Sequence, residues 1–123
     1  MCHSLVGSEM CIRDRSKGLS NHEAISAAKS GIEGFARSAA ATYAKDNLRV
    51  NVIAPSIMDS NMSEKILSSE AAREVSKNMH PISKIGDADD ILPVIKWLLS
   101  PDAKWVTGQT IHVDGGLSTV KPR

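Results

Sequence analysis

Apolar residues recur at three- and four-residue intervals from Ile25 through Ala28, Ile32, Phe35 or Ala36, and Ala39 to Tyr43. That period predicts a long amphipathic helix over Ser20–Lys45, with one apolar face and a polar outer face. Ser20 and Glu23 form a capping-box pattern at its start, with Asn21 as the alternative cap. The run of alanines keeps helix propensity high and permits close approach by another element. Gly31 and Gly34 each cost about 1 kcal/mol of propensity relative to alanine, and two readings stand for them: tolerated surface glycines, or a tight packing seam.

Past a turn at Lys45-Asp46-Asn47, the pattern changes to that of a strand over Leu48–Ala54. Val50, Val52 and Ala54 fall on one side and Ile53 on the other, and Pro55 ends it. Ser56–His80 has mixed polarity, with helical stretches expected at Asn61–Ser68 and Glu70–Met79, and suits an outer segment better than a core element. Pro81–Gly86 is a connector. Asp87 is placed to cap a helix running to Ser100, with Asp89 and Asp90 favoured by the helix dipole and Ile91, Val94, Ile95, Leu98 and Leu99 on the buried face. Pro93 inside that pattern blurs its start. A second strand, Thr110–Val113, is closed by Asp114-Gly115-Gly116, where paired glycines mark a tight turn or a close backbone approach. Helix, turn and strand in this order argue for a mostly parallel sheet.

Met1–Arg15 stands apart. It has neither helical nor strand period, and the string from Ser4 to Arg15 resembles a translated sequencing adapter. We therefore treat residues 1–16 as a non-native or disordered head, 17–120 as one domain or part of one, and 121–123 as a tail. Cys2 and Cys11 are too few to define a metal site or a disulfide framework, so a reducing, cytoplasmic setting is the expectation.

Composition narrows the function classes. Fifteen basic and fourteen acidic residues leave a formal charge of +1, which recommends neither nucleic acid nor an anionic membrane as partner. Aromatic residues make up 3% of the chain, too few for base-stacking platforms. No apolar run reaches the roughly 18 residues of a membrane span. Asp87, Asp89 and Asp90 need no metal to explain them, and His112 on a strand reads as facing solvent or a neighbouring subunit. Trp105 is expected to cover the sheet edge or a subunit contact, and Trp97 to pack its helix.

Several of these pieces together resemble the C-terminal half of a short-chain dehydrogenase/reductase. They are Ser26-Ala27-Ala28-Lys29 with Ile32-Glu33-Gly34-Phe35, then Arg49–Pro55, Gly86–Ile91, Trp105–Gln109 and Val113–Gly116, in that order over Lys17–Val120. The resemblance implies an α/β fold: part of an NAD(P)-binding, Rossmann-type doubly wound parallel sheet, represented by its last two strands and their helices. It implies hydride transfer between NAD or NADP and a small-molecule carbonyl or alcohol, usually within a homo-oligomer. The family's glycine-rich phosphate loop has no counterpart in this sequence, so the chain reads as a fragment that is inactive as written. The alternative is a non-catalytic, dehydrogenase-like protein that binds a nucleotide or a partner.

The family couples a tyrosine to a lysine four residues later, so that both share one helix face and the ammonium lowers the phenol's pKa. Here the lysine is Lys29, but Ile25 stands at the tyrosine position and cannot exchange a proton. Lys29 keeps three readings: a contact to the nicotinamide ribose, an ordinary helix lysine, or a base in its own right. His22, three residues before Ile25, is a surrogate acid or base or else a solvent-facing histidine in the first helical turn. Pro55–Ser60 resembles the family's cofactor loop, with the Ile57 backbone at the nicotinamide amide and Ser60 in place of a usual threonine. Ser56 departs from the usual glycine, and a plain strand-ending turn is the competing reading. Met58, Met62 and Met79 are candidates for lining a substrate pocket or packing a lid.

Overall fold

The structure, a computed structural model, describes residues 2–6, 23–61 and 63–121. The strand and helix pattern appears as three parallel strands and three helices among these residues. Strand β1 is Cys2–Val6, helix α1 is Glu23–Tyr43, strand β2 is Arg49–Pro55, helix α2 is Glu70–Met79, helix α3 is Ala88–Leu99 and strand β3 is Thr110–Val113. β2 is central, pairing in parallel with β1 from Cys2↔Arg49 to Val6↔Ile53 and with β3 from Val52↔Thr110 to Pro55↔Val113. This is the expected α/β class, with a parallel sheet of the doubly wound kind.

The strand at Cys2–Val6 corrects the expectation that the head forms no regular element. Strand pairing is made by backbone groups, and the open edge of β2 offers a row of them to an extended segment whether or not its side chains alternate. Ser20, Asn21 and the capping box predicted there lie outside the described residues.

Alternation along β2 sends side chains to two separate cores, one on each face of the sheet. Val50 and Val52 pack against Ala36 and Ala40 of α1, with Ile32 and Ala39 half-buried beside them. Alanine at those two helix positions lets the helix lie close to the strand. On the opposite face Ile53 meets Ile91 and Leu98 of α3 and Ala103, with Ile95, Val94, Ile111 and Val113 packed around them. Two helices on two faces of one parallel sheet make three layers.

Several side chains fall off the predicted stripes. Phe35 is 64% exposed and Ile25 and Tyr43 are 46% exposed, so the buried face of α1 turns on Ala36 and Ala40 instead. Phe35 and Ala36 both fit a three-or-four spacing, and the narrower alanine face is the one a strand can approach closely. Leu99 is exposed at 53%, because the buried ridge of α3 runs through Ile91 and Leu98. Trp105 is exposed and covers no sheet edge among the described residues, and Trp97 is only partly packed. Gly31 and Gly34 face open space, which favours the surface reading over a seam within this chain. Residues 63–67 form turns in place of the expected helix, whereas α2 has the expected bounds. Ser63, Leu67, Ser76 and His80 are buried, so this segment belongs to the packed body and is no mere outer loop.

Capping follows the sequence closely at α3. The Asp87 side chain accepts from the N–H groups of Asp89 and Asp90, and the Asp90 carboxylate accepts from the Asp87 N–H, completing a capping box. Pro93 sits within the helix without ending it. Ser69 caps α2 by accepting from the Ala72 N–H at 3.1 Å.

One polar side chain lies in the middle of this apolar sheet. Asn51, fully buried on β2, donates to the Val106 carbonyl at 3.0 Å and accepts from the Gln109 N–H at 3.1 Å. Arg49 donates to Val106 and Leu98 carbonyls at 3.1 and 2.5 Å. Replacing Asn51 with leucine should leave the part-buried Gln109 N–H unmatched and take from the Val106 carbonyl one of its two donors, Arg49 being the other, at about 1–3 kcal/mol for the unmatched donor. Urea unfolding at unchanged slope should therefore show a larger loss for Asn51→Leu than for Ile53→Val, a deletion of one methylene expected to cost about 0.5–1.5 kcal/mol. Equal midpoints for the two variants would remove the polar clamp from the account of stability.

Candidate functional site

The site is built where β2 ends. Pro55 closes the strand and is buried, Ser56 and Ile57 follow it into the interior, and the chain surfaces only at Asp59 and Ser60. This bend is held by an isolated parallel bridge between Met58 and Gly86. The Gly86 N–H donates to the Ile57 carbonyl at 3.1 Å, and the Asp59 N–H donates to the Gly86 carbonyl at 2.8 Å. Farther along, the Ser63 hydroxyl donates to the Met58 carbonyl, and the Ser60 N–H donates to Ser63 Oγ at 3.1 Å. Arg73 of α2 pairs with Asp59 at 2.6 Å, and that hydrogen bond raises the guanidinium's pKa above its ordinary value.

β3 supplies the other wall. Asp114 accepts from the Gly116 N–H at 2.9 Å and the Ser118 N–H at 3.0 Å, which winds the chain into a tight turn. Gly115 and Gly116 have φ of 59° and 89°, the left-handed region that glycine adopts without steric cost. A Cβ on Gly115 would also press on the Ile82 carbonyl at 3.3 Å, so both sequence readings of the glycine pair hold at once. Burial pushes the Asp114 carboxyl upward, but the hydrogen bonds it takes at Ser118 and Gly116 outweigh this and leave it below the usual carboxylate value.

These two walls enclose a cavity of about 210 Å³, lined by Ser56, Ile57 and Met58 on one side, Val113, Asp114 and Gly115 on another, and His80, Ile82, Lys84, Gly86 and Asp90 between. Lys84 bridges Asp90 at 2.7 Å and Asp87 at 3.2 Å at the exposed rim. Its hydrogen bonds to the two carboxylates raise the ammonium's pKa, and the same Lys84 contact lowers that of Asp90.

Inside the cavity lies a pair that sequence reasoning misses. Ser56 Oγ and His80 Nε2 are 2.6 Å apart, both residues are buried, and His80 Nδ1 lies 2.7 Å from the Ser76 carbonyl. In the sequence, Ser56 stands out only as a departure from glycine. His80 follows the last residue of a helix by one position, before a proline, and no spacing in the sequence ties it to a residue twenty-four positions earlier.

The predicted site residues separate into groups. Pro55 and Ile57 lie in the buried bend, and Ile57 lines the cavity. Ser60 is turned away, toward a shallow polar recess shared with Asp59, Asn61, Glu64 and Arg73. Met58 lines the cavity as anticipated, Met79 lines neither recess, and Met62 lies outside the described residues. Lys29 is half-buried on α1, beyond both linings. A short turn, with the Leu48 N–H on the Tyr43 carbonyl, sets α1 antiparallel to β2. The fourteen helical steps from Lys29 to Tyr43 span about 21 Å at 1.5 Å each. The six steps of β2 from Arg49 to Pro55 span about 20 Å. Lys29 thus stands level with the end of β2, at the carboxyl edge of the sheet. Ile25 lies one turn beyond it and is exposed, and His22 lies outside the described residues.

Comparison with known proteins agrees with this architecture. The family model described as enoyl-(acyl carrier protein) reductase matches residues 9–118. The chain is 40% identical over 91 residues to a 3-oxoacyl-(acyl-carrier-protein) reductase from Haemophilus influenzae, covering 74% of this chain and 37% of that protein. An oxidoreductase of the short chain dehydrogenase/reductase family from Burkholderia thailandensis superposes with a TM-score of 0.78 at 31% identity, over 94% of this chain and 43% of that one. The chain belongs to the short-chain dehydrogenase/reductase family. A further structural neighbour is 4-hydroxyisoleucine dehydrogenase complexed with NADH, with a TM-score of 0.82 at 25% identity, covering 98% of this chain and 48% of that one. The chain spans a little over a third of the length of the curated relative from Haemophilus influenzae. Among the described residues, no helix is long and apolar enough to cross a membrane, and no three His, Cys, Asp or Glu side chains group as metal ligands.

Asp114 gives the site a pH signature. A carboxyl whose folded pKa is lowered contributes stability above its unfolded value, about pH 3.9, and loses it as pH falls through the folded value. Asp114→Asn should be less stable than the parent near neutrality, with the two thermal unfolding midpoints converging below about pH 4. Asp90 titrates in the same direction in both proteins, so the difference between them isolates Asp114. A constant offset across that range would mean that the carboxylate charge does not hold the Gly115–Gly116 turn.

Proposed function

We propose that this chain carries the nicotinamide end of an NAD(P)-dependent hydride-transfer site for a carbonyl or alcohol substrate, and that it holds this end without the family's proton relay. The observation that supports the reading is the buried Pro55–Ile57 bend at the carboxyl edge of a parallel sheet, with Lys29 level with it. Ligands of open α/β sheets bind outside the carboxyl ends of the strands. The groups available suit the nicotinamide riboside: backbone at Ile57 for a carboxamide and the Lys29 ammonium for ribose hydroxyls, with Ser60, farther along the loop, on the neighbouring polar recess. When bound, the nicotinamide ring supplies or accepts the hydride.

What this chain's own residues do is bind and orient. Pro55 fixes the exit of β2, and the Met58–Gly86 bridge holds the Ile57 carbonyl inward. Ile25 cannot hold or release a proton, so the alkoxide formed on carbonyl reduction finds no acid at the family position. Lys29 alone stabilises a ribose contact and leaves that step unserved. The second reading, a dehydrogenase-like protein that binds nucleotide without turnover, is favoured by the same isoleucine. The groups named here all belong to the nicotinamide half of a dinucleotide.

Nicotinamide mononucleotide tests this half by itself. Titration followed by amide NMR should move Ile57 and Ser60 with a millimolar dissociation constant, about −4 kcal/mol. Lys29→Met should weaken binding several-fold, whereas Ile25→Tyr should leave it within about twofold, since a contact to ribose is worth about 1 kcal/mol and the phenol serves chemistry. Absence of saturable shifts at these amides up to about 10 mM, weaker than about −3 kcal/mol, would sink the proposal.

A further inference from the structure

The buried Ser56–His80 pair has no part in the nicotinamide reading, and its chemistry is set by what each ring nitrogen meets. His80 Nδ1 faces the Ser76 carbonyl at 2.7 Å, and a carbonyl can only accept, so Nδ1 carries the proton of the neutral ring. Nε2 is then a bare lone pair, and Ser56 Oγ at 2.6 Å must be the donor. A hydroxyl donating to an imidazole whose other nitrogen is anchored is the arrangement of a serine nucleophile, its general base and an orienting group. The separation lies within the 2.6–3.2 Å reach that proton transfer requires.

Position supports chemistry as well. Ser56 is the first residue after β2, at a bend rather than within the ladder. Both partners line the cavity, whose apolar walls come from Ile57, Met58, Ile82 and Val113. Ile82, 68% exposed, and Lys84, also exposed, stand at its mouth, so the space communicates with solvent. At about 210 Å³ it is smaller than the roughly 300–1,000 Å³ of drug-sized sites and suits a short acyl group.

We propose that Ser56 is an acyl-accepting nucleophile, with His80 as its base and the Ser76 carbonyl as the positioning group, toward small activated esters. Ser56 Oγ forms a bond to the acyl carbon as its proton passes to His80 Nε2. The bond from the acyl carbon to the alkoxy or aryloxy oxygen breaks, and that group leaves with the electron pair; an alkoxide takes the proton from Nε2, and after a weakly basic aryloxide leaves, Nε2 gives its proton to bulk water and is free again as a base. Water then attacks the acyl carbon and gives one proton to Nε2; the bond from the acyl carbon to Ser56 Oγ breaks, Nε2 passes that proton to Oγ, and the carboxylic acid leaves. No oxidant, reductant or cofactor enters.

The test uses the whole chain with p-nitrophenyl acetate, followed by nitrophenolate release and by peptide mass mapping. One acetyl group should appear on Ser56, and Ser56→Ala should lose it. His80→Gln should slow acetylation by about a hundredfold or more, the usual contribution of a general base. Ser56→Cys keeps the pair and covers the case in which the His80 variant fails to fold. Its introduced thiol should take acetyl ahead of Cys2 and Cys11 of the same chain, which serve as internal controls. Three results would each make the pair a structural hydrogen bond only. They are acetyl spread over lysines without preference for Ser56, unchanged acetylation in a folded His80→Gln, and an introduced thiol in Ser56→Cys no faster than the other two. A failure here leaves the mononucleotide titration untouched, so the two readings stand or fall separately.

Discussion

A single buried amide sets the geometry on which the rest of this sheet depends. Asn51 stands on the central strand with apolar residues on both sides, and its two polar ends are matched by the Val106 carbonyl and the Gln109 N–H. An unmatched amide in such a place is costly, so β2 has one favourable register against the segment that feeds β3. The neighbouring backbone repeats the constraint: the Val50 N–H donates to Thr107 Oγ1, the Gly108 N–H to the Val50 carbonyl, and the Val52 N–H to the Gln109 carbonyl. Arg49 closes the clamp from below by donating to carbonyls at the end of α3. Hydrophobic burial alone would tolerate a slip of two residues along β2, because the alternation of Val50, Val52 and Ala54 is nearly degenerate. The polar pair removes that freedom.

Register at the start of β2 decides what stands at its end. With Val52 opposite Thr110, Pro55 falls opposite Val113, and the bend at Ser56 comes to lie beside the Asp114 turn. The cavity exists because two chain exits, one after each strand, diverge at the same level. The bridge between Met58 and Gly86 and the hydrogen bond from the Ile82 N–H to the Gly115 carbonyl then hold the connector between α2 and α3 across the gap. His80 reaches Ser56 as a consequence of that closure, and its ring is anchored by α2 through Ser76.

This hierarchy explains which features the sequence made legible. Local rules sufficed where the deciding interaction is local: the Asp87 cap, the bounds of Glu70–Met79 and Thr110–Val113, and the turn at Gly115–Gly116; for Asp90 the sequence shows only the dipole effect, and the return bond that completes the capping box comes from the structure. They were too coarse where two neighbours compete for one face. Phe35 outranks Ala36 by hydrophobicity, yet the strand can approach only the smaller side chain, and that preference belongs to the partner rather than to the helix. Leu99 lost its place to Leu98 in the same way. Cys2–Val6 was illegible for a different reason, since an edge of β2 recruits a backbone and no side-chain period records it. Of the residues that motif order suggested, Ile57 lines the cavity, Pro55 lies in the bend before it, and Ser60 and Lys29 lie outside the lining, whereas Ser56–His80 spans twenty-four residues and leaves no periodic trace.

The two chemistries proposed for this edge of the sheet make opposite demands on one bend. A nicotinamide contact uses backbone at Ile57 and tolerates any small residue before it, and glycine there would give the tightest turn. A serine at that position adds a hydroxyl that must be satisfied on burial, and His80 satisfies it at 2.6 Å while being held to one tautomer by Ser76. A water or a backbone carbonyl would serve the hydroxyl equally well if burial were the only requirement. An imidazole with a fixed lone pair is a more demanding solution than the packing problem needs. That excess places a proton acceptor, His80 Nε2, against Ser56, while Ile25 has no group that can take or give a proton.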